Sequence, residues 1–476
     1  MHIIDTRSAT APVLRPVAEG GTEPEPIPGR AWLDHSAASR IGVRLAAAAV
    51  LSCGILVLAL SSPAHPNLVW LELVLAAVAV FVCGLPLLQR AAASVVRRRP
   101  DMFALVSLGT LTALAHGALA TALPALYPGA HLSLGAAAVV VTLVLAGEAL
   151  ERAARGRAVR ELDDEGAVHG VLHPGSTHME SFADRVSAAL VPAVLVVAAI
   201  TFVGWLALGP SPRLPHAITS AASVLIIACP AAIGLATPLS FLVATVSAKR
   251  SGIRLGDAES TELLARLTTL VIDRGGLLAE DKSDVEHVRS AIADLRRMGV
   301  RVVLMTREGR TAGREDARRL DLHEAEVYAD MSAEDRVSAV RDLARRGEIV
   351  AVALRGPRDE RAASAGHLGI TLGDGDGGNI AVYDASLAGI VRAVRLARRT
   401  ARNARQNLAI AFLYNVAAIP LAAGLCYVVA RQPLSPMIAA AATGLSTITI
   451  IASSLRLLRG SRRMTRGMPR LQYSSR

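Results

Sequence analysis

Long apolar runs dominate the pattern of hydrophobic and polar positions along the chain. Eight of these runs are long enough to cross a bilayer as a helix, and they lack the polar face of a helix in a soluble domain. We therefore predict a polytopic α-helical membrane protein with about eight spans. The predicted spans cover residues 41–62, 68–88, 102–124, 132–150, 186–209, 217–247, 408–430 and 434–457.

The pattern changes in residues 248–407, between the sixth and seventh runs. Short apolar segments at 268–272, 300–305 and 349–353 alternate there with amphipathic segments such as 283–298. This alternation is typical of a parallel sheet covered by helices. The region is therefore predicted to be an α/β domain with a doubly wound sheet.

These patterns divide the chain into seven segments, of which the two ends are polar. Residues 1–40 are rich in Pro, Gly and Glu and are expected to be disordered, and residues 459–476 form a basic tail. The other segments are the first four spans (41–150), a short connector (151–185), the fifth and sixth spans (186–247), the α/β domain (248–407) and the last two spans (408–458).

Positive charge indicates how the spans are oriented. The loop 89–101 carries Arg90 and the arginines at 97–99, whereas the turns 61–67 and 124–131 carry neither Lys nor Arg. Basic loops remain on the cytoplasmic side of a membrane. Both termini and the α/β domain are therefore predicted to be cytoplasmic, in a protein of the bacterial plasma membrane.

Composition limits the partners of the chain. The net charge is +11, and aromatic residues make up only 3% of the chain, so few rings are available for stacking on bases. The predicted partner is the lipid bilayer, and nucleic acid is not expected. All four cysteines lie in predicted spans, so no disulfide framework is implied.

Residues 227–238 place a thiol and two prolines inside an apolar run. A proline inside a membrane helix frees backbone carbonyls, which is tolerated where they line a cavity. Cys229 lies beside Pro230, and a thiolate is a soft metal ligand. The run therefore predicts a broken helix with a cation site.

The segment 228–231 resembles the A-C-P-C sequence of the heavy-metal P-type ATPases, although Ala231 stands in place of the second cysteine. The resemblance is closest to the copper group and extends from about residue 80 to 458. It implies transport of a metal cation and a cytoplasmic α/β domain of the haloacid-dehalogenase (HAD-like, Rossmannoid) type. Collinear similarities lie at residues 99–110, 182–186, 252–259, 403–408 and 434–438.

The resemblance also implies catalytic roles. In this family the aspartate of D-K-T-G-T attacks ATP, and Asp273 holds that position. Arg274 stands for the lysine, Thr306 for the threonine of T-G-D, and Asp359 for the last residue of the Mg²⁺-holding G-D-G-x-N-D. Arg355 replaces a carboxylate of that last motif, and a cation there opposes Mg²⁺. The resemblance therefore argues against Mg²⁺ and ATP as cofactors.

Two interpretations of these charged positions remain open. The carboxylates and arginines form a fixed ion-pair network, or the arginines retain a contact with phosphate or nucleotide. The carboxylates are Asp273, Glu308 and Asp359, and the arginines are Arg274, Arg307 and Arg355.

Two domains of the family have no room in this chain. The family carries a nucleotide-binding domain after D-K-T-G-T, whereas here the helical segment 283–292 follows almost at once. The family carries an actuator domain with T-G-E between spans four and five. The connector here is shorter than a domain of ~50 residues and lacks T-G-E. His169, His173 and His178 in this connector form a metal site or belong to a solvated loop.

The resemblance assigns an intramembrane metal site to Cys229, Tyr414, Asn415 and Ser446. Cu(I) prefers sulfur ligands, so a copper-like soft ion is expected to bind weakly where one thiolate remains. The alternative is that Cys229 is only a packed thiol. Glu148, at the end of the fourth span, is either an entry carboxylate for a metal or an interfacial carboxylate.

Two hypotheses for function follow. The first is a degenerate, non-catalytic relative of these ATPases (a pseudoenzyme) that acts as a metal-related binding, regulatory or partner subunit. Its partner would be an intact metal pump or a metal chaperone. The second is an active enzyme that uses Asp273, either a copper-like cation-transporting P-type ATPase or a minimal aspartyl-phosphate phosphatase or ATPase.

Overall fold

A bundle of apolar helices and one α/β domain make up the fold. The structure, a computed structural model, describes residues 35–61, 68–98, 101–123, 132–160, 178–228, 231–273, 282–354, 360–373 and 378–464. The first helices of the bundle are α1 (His35–Ser61), α2 (Leu68–Val78), α3 (Leu85–Val96), α4 (Met102–Ala122), α5 (Leu132–Arg160), α6 (His178–Leu208), α7 (Arg213–Ile227) and α8 (Ala231–Lys249).

The α/β domain follows α8 and contains a seven-stranded sheet with the order β1-β7-β6-β5-β2-β3-β4. Only β1 runs antiparallel to its neighbour, β7, and all other pairs are parallel. The strands are β1 (Ile253–Leu255), β2 (Thr269–Asp273), β3 (Arg301–Met305), β4 (Val327–Tyr328), β5 (Val350–Leu354), β6 (Leu368–Leu372) and β7 (Ile380–Val382). The helices are α9 (Ala258–Ala265), α10 (Lys282–Arg297), α11 (Arg310–Leu320), α12 (Ala333–Arg345) and α13 (Glu360–Ala365).

Alternate side chains of the central strands enter two apolar layers, as the period of a strand requires. In β2, Leu270 and Ile272 pack into one layer with α10, whereas Val271 packs into the other with α12. Both faces of the sheet are therefore covered, which explains why its strands are continuous apolar runs. The predicted fold class, membrane helices with a cytoplasmic-type α/β domain, is confirmed.

One long helix joins the sheet to the bundle. Helix α14 (Leu387–Pro420) packs its first turns on the sheet through Ile390 and Val394 and then continues into the apolar bundle. A π-helical turn follows at Leu421–Leu425, then α15 (Cys426–Ala430) and α16 (Pro436–Met464). The sheet and the bundle are therefore connected by a single continuous helix.

Fewer than eight helices meet the length and hydropathy expected of a span. Five stretches within the described residues do so, and the α2–α3 pair makes a sixth if it is one span. The remaining predicted spans coincide with shorter apolar helices, Leu134–Leu150 in α5, and α7 followed by α8. The number eight therefore stays a prediction. The five stretches are Ile41–Leu58, Phe103–Ala122, Ala188–Leu208, Leu387–Ala430 and Pro436–Arg456.

The second predicted span is sharply bent, which the hydropathy pattern did not predict. Its two parts, Leu68–Cys83 and Leu85–Val96, differ in direction by 62°. Gly84 lies at the bend, where a Cβ atom would stand 2.4 Å from the carbonyl oxygen of Val80. The bend therefore requires a residue without a side chain, and Pro86 in the first turn of α3 is compatible with a new helix start.

Helical structure is also interrupted near the predicted break of the sixth span. Helix α7 ends at Ile227, Ala228 forms its C-cap, and α8 begins at Ala231. Cys229 and Pro230 lie outside the described residues. The connector predicted at 151–185 is shortened from both ends, because α5 continues to Arg160 and α6 begins at His178. His169 and His173 lie outside the described residues.

Candidate functional sites

Asp273 is the last residue of β2, at the carboxyl edge of the sheet. Its strand pairs with β3 on one side, where Asp273 faces Met305, and with β5 on the other. The chain passes from β2 to β3 on one side and from β5 to β6 on the other, so the direction of the connections reverses between β2 and β5, and such a point in an open α/β sheet is where ligands bind. The topology therefore places the nucleophile candidate where a phosphate could be received.

Asp273 forms an ion pair with Arg336, which sequence reasoning missed. The guanidinium lies 3.4 Å from a carboxylate oxygen of Asp273, and the side chains are 8% and 27% exposed respectively. Arg336 lies in the first turn of α12, where Ser332 and Asp335 form a capping box. That box is visible in the sequence and predicts the start of the helix, but only the fold places this helix end beside β2.

Thr306 is held beside the end of β2 by three hydrogen bonds. Its backbone N–H donates to the carbonyl of Tyr328 (2.9 Å), and its own carbonyl accepts from the N–H of Met331 (3.1 Å). Its hydroxyl oxygen accepts from the N–H of Glu308 (3.1 Å). Thr306 is 2% exposed. The residue therefore fixes the shape of the loop after β3, and it directly follows Met305, which pairs with Asp273 in the sheet.

The structure adds a cation, Arg336, to the carboxylates and arginines of the predicted network. The partner of Asp273 in the structure is Arg336, and Arg307 and Glu308 lie exposed in the loop after β3. Arg274, Arg355 and Asp359 lie outside the described residues. The sequence prediction considered partners only within the aligned motifs, whereas α12 supplies Arg336 from a distant part of the chain.

The described residues do not form a magnesium site at this edge of the sheet. Mg²⁺ prefers several oxygen ligands with octahedral geometry. At this edge the described residues supply the carboxylate of Asp273, which already faces a guanidinium. Within the described ranges, no group of three or more His, Cys, Asp or Glu side chains could hold a metal ion.

The intramembrane candidates converge where α14, α16 and the end of α7 meet. Tyr414 packs against an apolar cluster that includes Ile227 and Ala228, directly before the position of Cys229. The Tyr414 hydroxyl lies near Thr443 of α16. Asn415, the next residue, is 3% exposed. The structure therefore brings Tyr414 of α14 beside the end of α7 and near Thr443 of α16.

Ser446 adds a buried hydroxyl to this region. It lies one helical turn from Thr443 on α16, is 7% exposed, and its Oγ has no hydrogen-bond partner among the described residues. A buried hydroxyl of this kind can accept a water or a cation. The side chains of Cys229 and Ala231 lie outside the described residues, so the described donors of the site are oxygens and an amide.

Glu148 is already paired. A guanidinium nitrogen of Arg90 lies 2.7 Å from one carboxylate oxygen, and Arg152 lies 3.9 Å from the other. Arg90 also stacks over the ring of Phe103, 5.0 Å from its centroid. The arrangement favours the interfacial interpretation of Glu148, because two cations already neutralise the carboxylate.

A buried polar network, not predicted from the sequence, joins α8, α14 and α16. Ser240 donates to the side-chain oxygen of Asn403 (3.1 Å). The amide of Asn407 donates to the same oxygen (3.2 Å) and to Ser454 (3.0 Å). Asn403 in turn donates to Ser453 (3.1 Å). These bonds fix the register of three helices between the sheet and the metal candidates.

Comparison with known proteins supports the same relationship. The chain is 27% identical to a copper-transporting P-type ATPase of Rhizobium leguminosarum bv. viciae, over 83% of this chain and 74% of that protein. It is 25% identical to a silver exporting P-type ATPase of Salmonella typhimurium, over 82% of this chain and 75% of that protein. No protein-family model matches the chain.

The fold is shared with a solved structure. A zinc-transporting PIB-type ATPase in an E2.Pi state superposes with a TM-score of 0.56 at 18% identity, covering 88% of this chain and 100% of that chain. These three proteins are described as copper, silver and zinc transporters. By sequence, the chain is a homologue of the heavy-metal P-type ATPases over about four-fifths of its length. It also shares the fold of a zinc-transporting member of this group.

Proposed function

We propose that the chain binds a soft metal cation in the membrane as a regulatory or partner subunit and does not couple it to ATP hydrolysis. One observation carries the proposal: only residues 274–281 separate β2 from α10. A folded domain needs roughly 50 residues or more. The resemblance implies a nucleotide-binding domain at this point, and this segment cannot contain one.

The connector between α5 and α6 supports the same proposal. Only residues 161–177 lie between these helices. The segment is again far below the ~50 residues of a small domain. An actuator domain, which the resemblance implies here, therefore has no room in the chain.

The length of the alignment agrees with the loss of two domains from within the chain. The alignment with the Rhizobium relative spans 624 positions, whereas 83% of 476 residues is about 395. On the order of 230 positions of the relative therefore face gaps in this chain. Gaps of this total length match the size of two small domains.

The candidate nucleophile is also neutralised. Arg336 offsets the charge of Asp273 at 3.4 Å from a largely buried position. A half-exposed carboxylate paired in this way has a structural role that requires no phosphoryl transfer. The ion-pair interpretation is therefore retained, with Arg336 as the cation.

The metal part of the proposal rests on Tyr414, Asn415 and Ser446 beside the end of α7. A soft ion such as Cu(I) or Ag(I) would bind there through the thiolate of Cys229. We place the α/β domain in the cytoplasm, because the loop 89–101 carries four arginines whereas the turns 61–67 and 124–131 carry neither Lys nor Arg. An intact metal pump or a metal chaperone of the bacterial plasma membrane would be the partner.

Covalent labelling tests the catalytic half of the proposal. The purified full-length protein is incubated with Mg²⁺ and radiolabelled ATP or acetyl phosphate, and acid-stable label is counted. We expect no label above that of Asp273→Asn. A matched control, Asp342→Asn, changes an exposed carboxylate on α12. Label in the wild type and in the control that disappears only in Asp273→Asn would overturn the non-catalytic function.

Metal stoichiometry tests the other half. Cu(I) or Ag(I) bound per chain is measured after equilibration with a thiol buffer. We expect Cys229→Ser to lower the affinity for the metal by tenfold or more. Cys426→Ser, on α15, should leave the affinity unchanged. Equal metal content in Cys229→Ser and wild type would remove the metal from the proposed function.

A second candidate function has one observation in its favour. Asp273 and Thr306 lie together at the point where ligands bind in sheets of this kind. A minimal aspartyl-phosphate phosphatase or ATPase, or a cation-transporting ATPase completed by another chain, would use this geometry. The labelling experiment distinguishes it, since only this candidate predicts a phosphorylated Asp273.

A further inference from the structure

Two adjoining cavities lie where α14 leaves the sheet and enters the apolar bundle. One has a volume of about 470 Å³ and the other about 370 Å³, and both are lined by Arg405 and Ala409. The larger is otherwise apolar and is lined by Met179, Phe182, Val186, Leu408 and Phe412. The smaller is lined by Ala265, Arg398, Ala401, Arg402 and Gln406.

The pair of cavities spans the expected boundary between membrane and water. The apolar part of α6 begins at Ala188, just beyond the larger cavity. In α14, arginines precede Leu408, and exposed apolar side chains such as Phe412 and Leu413 follow it. The larger cavity is thus level with the outermost acyl region on the side that carries the α/β domain, and the smaller is level with the headgroups.

The arginines of the smaller cavity differ in their partners. Arg398 donates to the backbone carbonyls of Leu267 and Met298 and therefore fixes α14 to the domain. Arg402 and Arg405 are exposed, and within the described part of the chain neither is bonded to a carboxylate. Elsewhere on the domain, arginines such as Arg301 are paired with acidic side chains.

We propose that these cavities form a binding site for an anionic phospholipid. Its phosphate would bind Arg402 and Arg405, and one acyl chain would occupy the apolar cavity against Phe182 and Phe412. Unpaired guanidinium groups favour a phosphate, and a basic pocket between helices at this level of a bilayer suits an anionic headgroup. A free anion would leave the apolar cavity unused, so the lipid fits both parts.

Lipid retention measured by native mass spectrometry tests the site. The full chain is released from nanodiscs that contain equal amounts of phosphatidylglycerol and phosphatidylcholine with identical acyl chains. We expect wild type to retain phosphatidylglycerol preferentially. Arg402→Gln/Arg405→Gln should lower that preference about 25-fold, since one basic side chain near an anionic surface contributes roughly fivefold.

A matched control keeps the result specific. Arg341→Gln/Arg361→Gln removes the same charge from exposed positions of the α/β domain and should retain the wild-type preference. Equal phosphatidylglycerol preference in Arg402→Gln/Arg405→Gln and in this control would overturn the site.

A second arm tests the apolar cavity and the source of the phosphate. Phe182→Ala/Phe412→Ala should reduce retention of phosphatidylglycerol severalfold while both arginines are kept. Competition with inorganic phosphate or glycerol phosphate at millimolar concentration should not displace the lipid. Displacement by these soluble anions, or unchanged retention in the phenylalanine variant, would show an anion site without lipid and would contradict the proposal.

Discussion

Contacts between single residues of the α/β domain join positions that lie far apart in the sequence. Asp273 ends β2, and its partner Arg336 begins α12 after two further strands. The pair is half-buried, so its loss has an energetic cost that an exposed pair would not have. This pair and the half-buried His367 before β6 make the domain sensitive to single substitutions.

Arg336→Met should destabilise the α/β domain by about 1–3 kcal/mol, because it leaves the carboxylate of Asp273 without its cation. Asp273→Asn/Arg336→Met should recover part of this loss, since it removes the uncompensated charge. The free energy is measured by amide exchange of β2 and β3 in the full chain. Additive losses in the double variant would show that the two side chains are not coupled.

His367 should make the domain less stable as the pH falls. Burial lowers the pKa of His367 from its ordinary value of 6.5, and its Nδ1 accepts the N–H of Val350 at 3.2 Å. The unfolded chain then binds more protons than the folded chain just below pH 6.5, so acidification favours unfolding, by at most about 1.4 kcal/mol per pH unit. The effect ends once the pH is below the lowered pKa.

Amide exchange of β5 and β6 between pH 7.5 and 5.0 checks the effect of His367. His367→Asn, whose side-chain oxygen can accept the same N–H, should flatten the pH dependence. A pH dependence that is unchanged in this variant would assign it to other groups.

At the scale of elements, α14 decides how the two parts of the molecule are joined. Its first turns pack on the sheet, and its later turns share the buried Asn403 and Asn407 network with α8 and α16. Helix α14 packs so closely on the sheet at Gly389 that even a small side chain there would not fit. A Cβ atom on Gly389 would lie 2.1 Å from Val382 and 2.6 Å from Asp384.

Gly389→Ala should therefore separate α14 from β7 and destabilise the domain by about 1–3 kcal/mol. The control is Gly444→Ala in α16, where a Cβ atom would meet nothing within 4 Å. Thermal unfolding midpoints of both variants are compared with wild type. If Gly389→Ala were as stable as Gly444→Ala, the close packing of this turn would be refuted.

At the scale of the whole molecule, the chain is related to the P-type ATPases but has only short connections at the two points where the resemblance implies an actuator domain and a nucleotide-binding domain. The membrane bundle and the sheet are joined directly where α8 leads into β1 and along α14. Residues 161–177, where the resemblance implies an actuator domain, and residues 274–281, where it implies a nucleotide-binding domain, are both far fewer than the roughly 50 residues of a small domain.

ATP should not stabilise the full chain. A ligand at 100 times its Kd would stabilise the folded state by about 2.7 kcal/mol, so millimolar ATP with Mg²⁺ should shift the unfolding midpoint of a nucleotide-binding protein. We expect no shift here, and a positive shift with Ag(I) in wild type that is lost in Cys229→Ser. A shift with ATP of several degrees would support the enzymatic candidate.

Much of the architecture was predictable because it depends on local periodicity. The strands β2, β3 and β5 and the helix α10 fall where the alternating pattern put them. The strands β1, β4 and β7 were missed, since segments as short as Val327–Tyr328 carry too little periodicity to identify. The bend at Gly84 was missed because hydropathy contains no directional information.

By itself, the sequence determined the membrane character, the α/β alternation, the relationship to heavy-metal P-type ATPases and the position of Asp273 at the end of a strand. Each of these depends on residue type and spacing along the chain. Only the tertiary structure decided that Arg336 is the partner of Asp273, that Tyr414 lies beside Thr443 and the end of α7, and that Arg402 and Arg405 border an apolar cavity. These contacts join residues distant in sequence, and their distances are set by how helices pack on the sheet and on each other.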